Sequence, residues 1–133
     1  MKVLLTGGSG LICSEAVEHF DVEGHEVAGV DNNMRRVFFG PAGDTLWNLD
    51  RLKSITKRFT HVALDIRDRT AIEELFRTQR FDLIVHCAAQ PSHEKAREIP
   101  LLDFEVNAVG TVSLLELTRQ NSPEAVFVFL STN

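Results

Sequence analysis

Residues 4–13 read "LLTGGSGLIC", an apolar strand end, a glycine-rich turn and the opening of a helix. Such a turn leaves backbone amides unpaired at the positive end of a helix dipole and so forms an anion site. Gly8, Gly10 and position 13 fall on the spacing G-x-G-x-x-G. There the first glycine makes the turn, the second lets a pyrophosphate approach, and the third lets helix and strand pack closely. Cys13 stands at the third position, where a CH2–SH group forced into a tight site costs ~1–3 kcal/mol. We expect a turn that survives but is loosened, with the thiol packed inertly beneath it.

Working outward, Asp31 follows the second apolar run directly, about twenty residues past the turn, where an acidic side chain accepts hydrogen bonds from an adenosine ribose. A carboxylate there repels a ribose 2′-phosphate and favours NAD over NADP, and Arg35 and Arg36 are the residues able to reverse that preference. The alternative for Asp31 is a strand-end cap opening a turn with Asn32 and Asn33.

Five apolar runs alternate with helical patterns: Lys2–Thr6, Glu26–Val30, Thr60–Leu64, Asp82–His86 and Ala125–Leu130. Between them, Leu11–Phe20 puts Ile12, Ala16 and Phe20 on one stripe, and Thr70–Arg80 puts Ile72, Leu75 and Phe76 on another. Leu102–Gln120 offers Val106, Val109, Val112, Leu115 and Leu117. This alternation predicts right-handed β-α-β units, an α/β fold with a doubly wound parallel sheet of five strands. The stretch "NNMRRVFFGPAGD" reads as a long irregular loop, followed by a helix through Leu46, Leu49, Leu52 and Ile55 capped by Asp44 or Thr45.

A chain of 133 residues, 44% hydrophobic, is long enough for one domain with a real core. Its formal net charge of −5, with Lys and Arg scattered, excludes nucleic acid and an anionic membrane as main partners. Two distant cysteines, Cys13 and Cys87, do not make a disulfide framework or a zinc site, and with no signal peptide or spanning segment a cytoplasmic location is expected. His93-Glu94 opens like H-E-x-x-H, but Arg97 replaces the second histidine, so no metal is expected. His86 and Trp47 read as core residues. The strand "AVFVFL" near the chain's end has nothing after it to pair with or cover it, so we expect residues 1–133 to be the N-terminal part of a longer protein whose substrate domain is absent.

"LLTGGSGLIC" with Asp31, "LDIRD" at 64–68, "HCAAQ" at 86–90, "FEVNAVGT" at 104–111 and "FLST" at 129–132 together resemble the extended short-chain dehydrogenase/reductase family. Within it the NAD-dependent sugar-nucleotide epimerases and dehydratases are most similar, and "DNNMRR…GDTLWNL" with "AAQPSH" resembles the CDP-paratose (CDP-tyvelose) 2-epimerase branch. The resemblance implies a Rossmann-type fold with NAD on Gly7, Gly8, Gly10, Leu11, Ile12, Asp31 and Asn32. It further implies an adenine-contacting pair Asp65 and Ile66, a cofactor-lining segment Cys87, Ala88 and Ala89, and the helix asparagine Asn107, counted with the cofactor set. Gln90, Ser92 and His93 would face a nucleotide sugar, CDP-linked by preference, and Thr132, beside Ser131, would be the catalytic hydroxyl.

The chemistry so implied is transient oxidation. A tyrosine phenolate takes a hydroxyl proton while hydride passes to NAD, the keto-sugar turns over, and hydride returns to its other face. The base belongs to a Tyr-x-x-x-Lys motif, and this chain contains no tyrosine. We therefore expect cofactor binding without turnover here, and a homodimeric parent. The alternatives are a sugar-nucleotide 4-epimerase or 4,6-dehydratase, a flavodoxin-like binder and a non-catalytic dinucleotide sensor.

Overall fold

The computed structural model describes residues 1–131. Five strands form one parallel sheet: β1 (Lys2–Thr6), β2 (Glu26–Val30), β3 (Phe59–Val62), β4 (Leu83–His86) and β5 (Val126–Phe129), in the order β3-β2-β1-β4-β5. The doubly wound α/β fold is the one expected. The order reverses between β1 and β4, and the crevice beyond the carboxyl ends of strands at such a reversal is where this architecture binds ligands. In register, Thr6 lies opposite Val30 on one side and His86 on the other.

Alternation along the strands sends side chains to two cores. Leu4, Ala28 and Ile84 pack with Ile72, Leu75 and Phe76 of α4 (Arg69–Thr78) and with Leu114 and Leu117 of α7 (Gly110–Asn121). Val3, Leu5 and Val27 pack on the other face with Val17 of α1 (Leu11–Val22) and Leu52 of α3 (Leu46–Ile55). The Asp68 carboxylate caps α4 by accepting from the Ala71 amide at 3.0 Å, a contact worth ~1 kcal/mol.

Several local expectations need correction. The stretch after Asp31 is not an irregular loop. Asn33, in the left-handed region at φ 56°, opens α2 (Met34–Phe39), and a single 3₁₀ turn at Gly40–Gly43 leads towards α3. Phe38 supplies the burial that holds α2 down. The buried row of α1 is Cys13, Val17 and Asp21, one residue round from the expected stripe, and Ile12 is exposed. Asp21 is buried because its Oδ1 accepts from the amides of Lys57 and Arg58 and so ties α1 to the chain entering β3.

The long helix starts earlier than expected, as α6 (Pro100–Phe104), and reaches α7 through a π turn at Glu105–Val109. That wide turn rephases the helix, so Val106, Gly110, Leu114 and Leu117 are buried while Val109, Val112 and Leu115 are exposed. Trp47, expected in the core, is 69% exposed. No helix among the described residues is long and apolar enough to cross a membrane.

Candidate functional site

The turn leaving β1 is fixed by its own backbone. The Gly7 and Gly8 amides both donate to the Val30 carbonyl, at 2.8 and 3.2 Å, and the Gly10 amide donates to the Gly7 carbonyl at 2.9 Å. Gly7 has φ +76°, which favours glycine, and a Cβ on Gly8 would stand 2.9 Å from the Gly29 Cα. Turn and second strand thus meet glycine to glycine. Gly10 caps α1 without a side-chain hydrogen bond, and the following amides of Leu11, Ile12 and Cys13 lack a carbonyl one turn back within the helix. They are donors available to an anion.

Asp31 directly follows β2, and its carboxylate turns back to this loop. Its Oδ2 accepts from the Ser9 amide at 3.0 Å and its Oδ1 from the Asn33 amide at 2.7 Å. The carboxylate is therefore fixed at the glycine turn and also closes the turn through Asn33, so it serves as the strand-end cap while standing beside the start of α1. Asn48 of α3 secures the other side, donating through Nδ2 to the Ser9 carbonyl at 2.9 Å while its Oδ1 accepts from Arg51 Nε.

A cleft of about 280 Å³ opens over these groups. Gly7, Gly10, Leu11, Ile12, Asp31, Asn32, Asp65, Ile66, Cys87, Ala88 and Ala89 all line it, whereas Gly8 lies behind, against β2. Sequence reading missed its apolar wall of Met34, Phe38 and Phe39, whose helix had been read as loop. The helical i, i+4 spacing of Met34 and Phe38 is the available signal. Arg35 also lines the cleft, its guanidinium 5.0 Å from the centre of the Phe39 ring, while Arg36 is paired with Asp44 at 2.8 Å. Asp65 is gripped by Arg67, with Nη2 at 2.6 Å from Oδ2 and Nε at 3.0 Å from Oδ1. Partial burial opposes its ionisation, but the Arg67 bonds outweigh that and hold its carboxyl below the usual range.

Below the floor lies a polar chain. Thr6 Oγ1 is 2.6 Å from His86 Nδ1, and His86 Nε2 is 2.9 Å from Thr111 Oγ1. Thr111 donates its hydroxyl proton to the Asn107 carbonyl, so it accepts from His86, which we assign as the Nε2–H tautomer. Thr6 then donates to Nδ1 and accepts from the Ala88 amide at 3.2 Å. Burial pushes His86 down to about 4. As expected, it is a core residue.

The other anticipated residues act on the loop after β4. Asn107 Oδ1 accepts from the Gln90 amide at 2.9 Å, and its Nδ2 donates to the Gln90 carbonyl at 3.0 Å. Gln90 is buried, with Nε2 on Asp103 and on the Ser92 carbonyl. Ser92 caps α5 (His93–Glu98) through the Lys95 amide, and His93 is exposed. Thr132 lies outside the described residues.

Residues 3–133 match the model of the NAD dependent epimerase/dehydratase family. The chain belongs to that family. The NAD dependent epimerase/dehydratase relatives include UDP-glucose 4-epimerase 2 of Arabidopsis thaliana, 34% identical over 123 residues, or 90% of this chain and 33% of that protein. CDP-paratose 2-epimerase of Salmonella typhi is 32% identical over 133 residues, all of this chain and 37% of the relative. The crystal structure of UDP-glucose-4-epimerase from Stenotrophomonas maltophila, with bound NAD and formylated UDP-arabinopyranose, superimposes at a TM-score of 0.80 with 32% identity, covering 99% of this chain and 37% of that one. The chain thus spans about a third of the length of these relatives. The family is NAD-dependent.

Proposed function

We propose that this chain is the cofactor-binding part of an NAD-dependent sugar-nucleotide epimerase and that it holds NAD in the cleft above the glycine turn. One observation carries the reading: the Asp31 carboxylate is 3.0 Å from the Ser9 amide, beside the uncapped start of α1. The amides of Leu11 and Ile12 take the pyrophosphate, Asp31 takes the adenosine ribose, and the wall of Met34, Phe38 and Ile66 excludes water from the adenine. The segment Cys87 to Ala89 lines the floor. Bound NAD supplies a hydride acceptor. Asp31 favours NAD over NADP; Arg36 is engaged with Asp44, while Arg35, over the Phe39 ring in the cleft lining, is the cation placed to oppose that preference.

The parent's substrate is a nucleotide sugar. The CDP-paratose 2-epimerase reading is supported by a match that runs the full length of this chain through the segment after Asp31. A 4-epimerase reading is supported by the Arabidopsis relative at comparable identity. Ser92 and His93 are the residues on the sugar side, with the buried Gln90 holding the loop that carries them, Thr132 is the hydroxyl that positions the reacting oxygen, and the parent acts as a homodimer in the cytoplasm. With no tyrosine in 133 residues, this chain binds cofactor and turns nothing over.

Calorimetric titration tests this directly. NAD should bind the reduced chain more tightly than NADP, and Asp31→Ala should weaken NAD by about tenfold or more, the scale of lost charge-assisted hydrogen bonds. A chain that ignores NAD, or an Asp31→Ala variant that binds it unchanged, would overturn the reading, as would epimerase turnover by the isolated chain.

A further inference from the structure

Cys13 and Cys87 are far apart in sequence, yet the fold brings them together under the glycine turn. The Cys13 thiol donates to the Thr6 carbonyl at 3.3 Å, and the Cys87 amide donates to that same carbonyl at 3.2 Å. Both side chains belong to one apolar cluster, both face the cleft, and both are free thiols. Their access differs. Cys13 is 1% exposed, whereas Cys87 is only half-buried and is the sulfur that a molecule entering the cleft meets first. Their chemistry differs in the same direction. The interaction with Cys13 lowers the Cys87 thiol, while that same interaction and burial push Cys13 up. The reachable sulfur is the better nucleophile, and the buried one stands behind it.

We propose that Cys13 and Cys87 form a reversible dithiol site in the floor of the cleft, which a hydroperoxide closes to a disulfide, and that closure and dinucleotide occupancy oppose one another. In the first step the Cys87 thiolate attacks the peroxide O–O bond. A sulfur–oxygen bond forms, the O–O bond breaks, and the departing oxygen leaves as an alcohol or water after taking a proton. In the second step the Cys13 sulfur attacks the Cys87 sulfenic acid and gives up its proton, and the hydroxyl leaves as water. Two thiols lose two electrons and one hydroperoxide gains them. An added dithiol reopens the bond by exchange.

The opposition follows from distances. Closure takes the two sulfurs to about 2.05 Å, well inside any non-bonded contact, so both side chains turn towards one another and any backbone adjustment is shared between the start of α1 and the segment after β4. Thr6 is pinned in the central strand between β2 and β4, so the movement falls elsewhere. It falls on the first turn of α1, which carries the Leu11 and Ile12 amides, and on the Cys87–Ala88 backbone, which already lies against Gly7, where a Cβ would come within 3.1 Å of the Ala88 nitrogen. Either shift re-aims the phosphate donors. This second half rests on the proposed NAD site; the dithiol site itself does not.

The test treats the full reduced chain with hydrogen peroxide and maps the cysteines by peptide mass spectrometry, with and without saturating NAD. Expected is an intramolecular Cys13–Cys87 cross-link, seen as the loss of two hydrogens and reversed by dithiothreitol, formed more slowly when NAD is present. The oxidised chain should bind NAD about tenfold or more weakly by calorimetry. Cys13→Ser should accumulate a Cys87 sulfenic acid that dimedone traps. Oxidation of Cys87 onward to sulfinic acid without a cross-link, or disulfides only between chains, would overturn the dithiol site. A cross-linked chain that binds NAD as the reduced chain does would overturn the opposition. A reduced chain that cross-links but never binds NAD would sink the proposed function and leave the dithiol site standing.

Discussion

His86 is 1% exposed, and its two ring nitrogens are held between Thr6 and Thr111, so the fold accepts only the neutral ring. Its pKa falls from 6.5 in the unfolded chain to about 4. Between those values the unfolded chain binds a proton that the native state refuses, so stability is present above about pH 6.5 and is lost as pH falls towards 4. The full difference is on the order of 3 kcal/mol. Urea unfolding at pH 7 and pH 4 should show a smaller acid-induced loss in His86→Gln than in the native chain, and equal losses would contradict this account. The residue's placement was legible in advance, since a histidine closing an apolar strand run next to the turn has no route to solvent. Its partners were not, because Thr6 and Thr111 reach it only once β1 and α7 have docked. The same limit hid Asn48 and the Cys13–Cys87 contact, both of which join segments whose separation along the chain carries no periodic signal.

Among the elements, β1, the glycine turn and α1 were readable as a unit because each step has a local cause: an apolar run, a positive-φ glycine, then an uncapped helix start. What failed were helix phases. One extra residue in the π turn moved the buried row of α7 off the expected stripe, and hydrophobic spacing alone does not reveal such a turn. The segment before α3 was misread because two glycines and a proline outweighed the hydrophobic spacing of "MRRVFF". The contact between the turn and β2 sets a sharp requirement. A methyl group on Gly8 would be 2.9 Å from the Gly29 Cα, and backbone on both sides leaves nothing flexible to yield. Gly8→Ala should cost ~1–3 kcal/mol and lower the Tm by roughly 5–10 °C. Thermal unfolding followed by circular dichroism checks this, and an unchanged Tm would mean that the two elements part easily.

For the molecule as a whole, the two faces of the sheet are covered unequally. The face carrying Leu4 and Ile84 lies under α4 and α7, while on the opposite face α1 and α3 cover β1 to β3. Val128 shares that second face, opposite Val85 in register, and is 40% exposed at the edge of the sheet, with Phe129 exposed beside it. An apolar edge strand invites another chain to pair. The isolated chain should associate with rising concentration, and Val128→Lys should reduce that association in light scattering without lowering Tm. Association unchanged by the lysine would place the contact elsewhere. The strand order has a kinetic corollary as well. Thr6 meets His86 across a separation of 80 residues, so the central strand gains its second neighbour only when β4 has been made. At synthesis rates of about 5–20 residues per second, a nascent chain waits roughly 4–16 s with at least one side of its middle strand bare. Throughout that interval the newborn polypeptide carries an open edge on which misassembly can start.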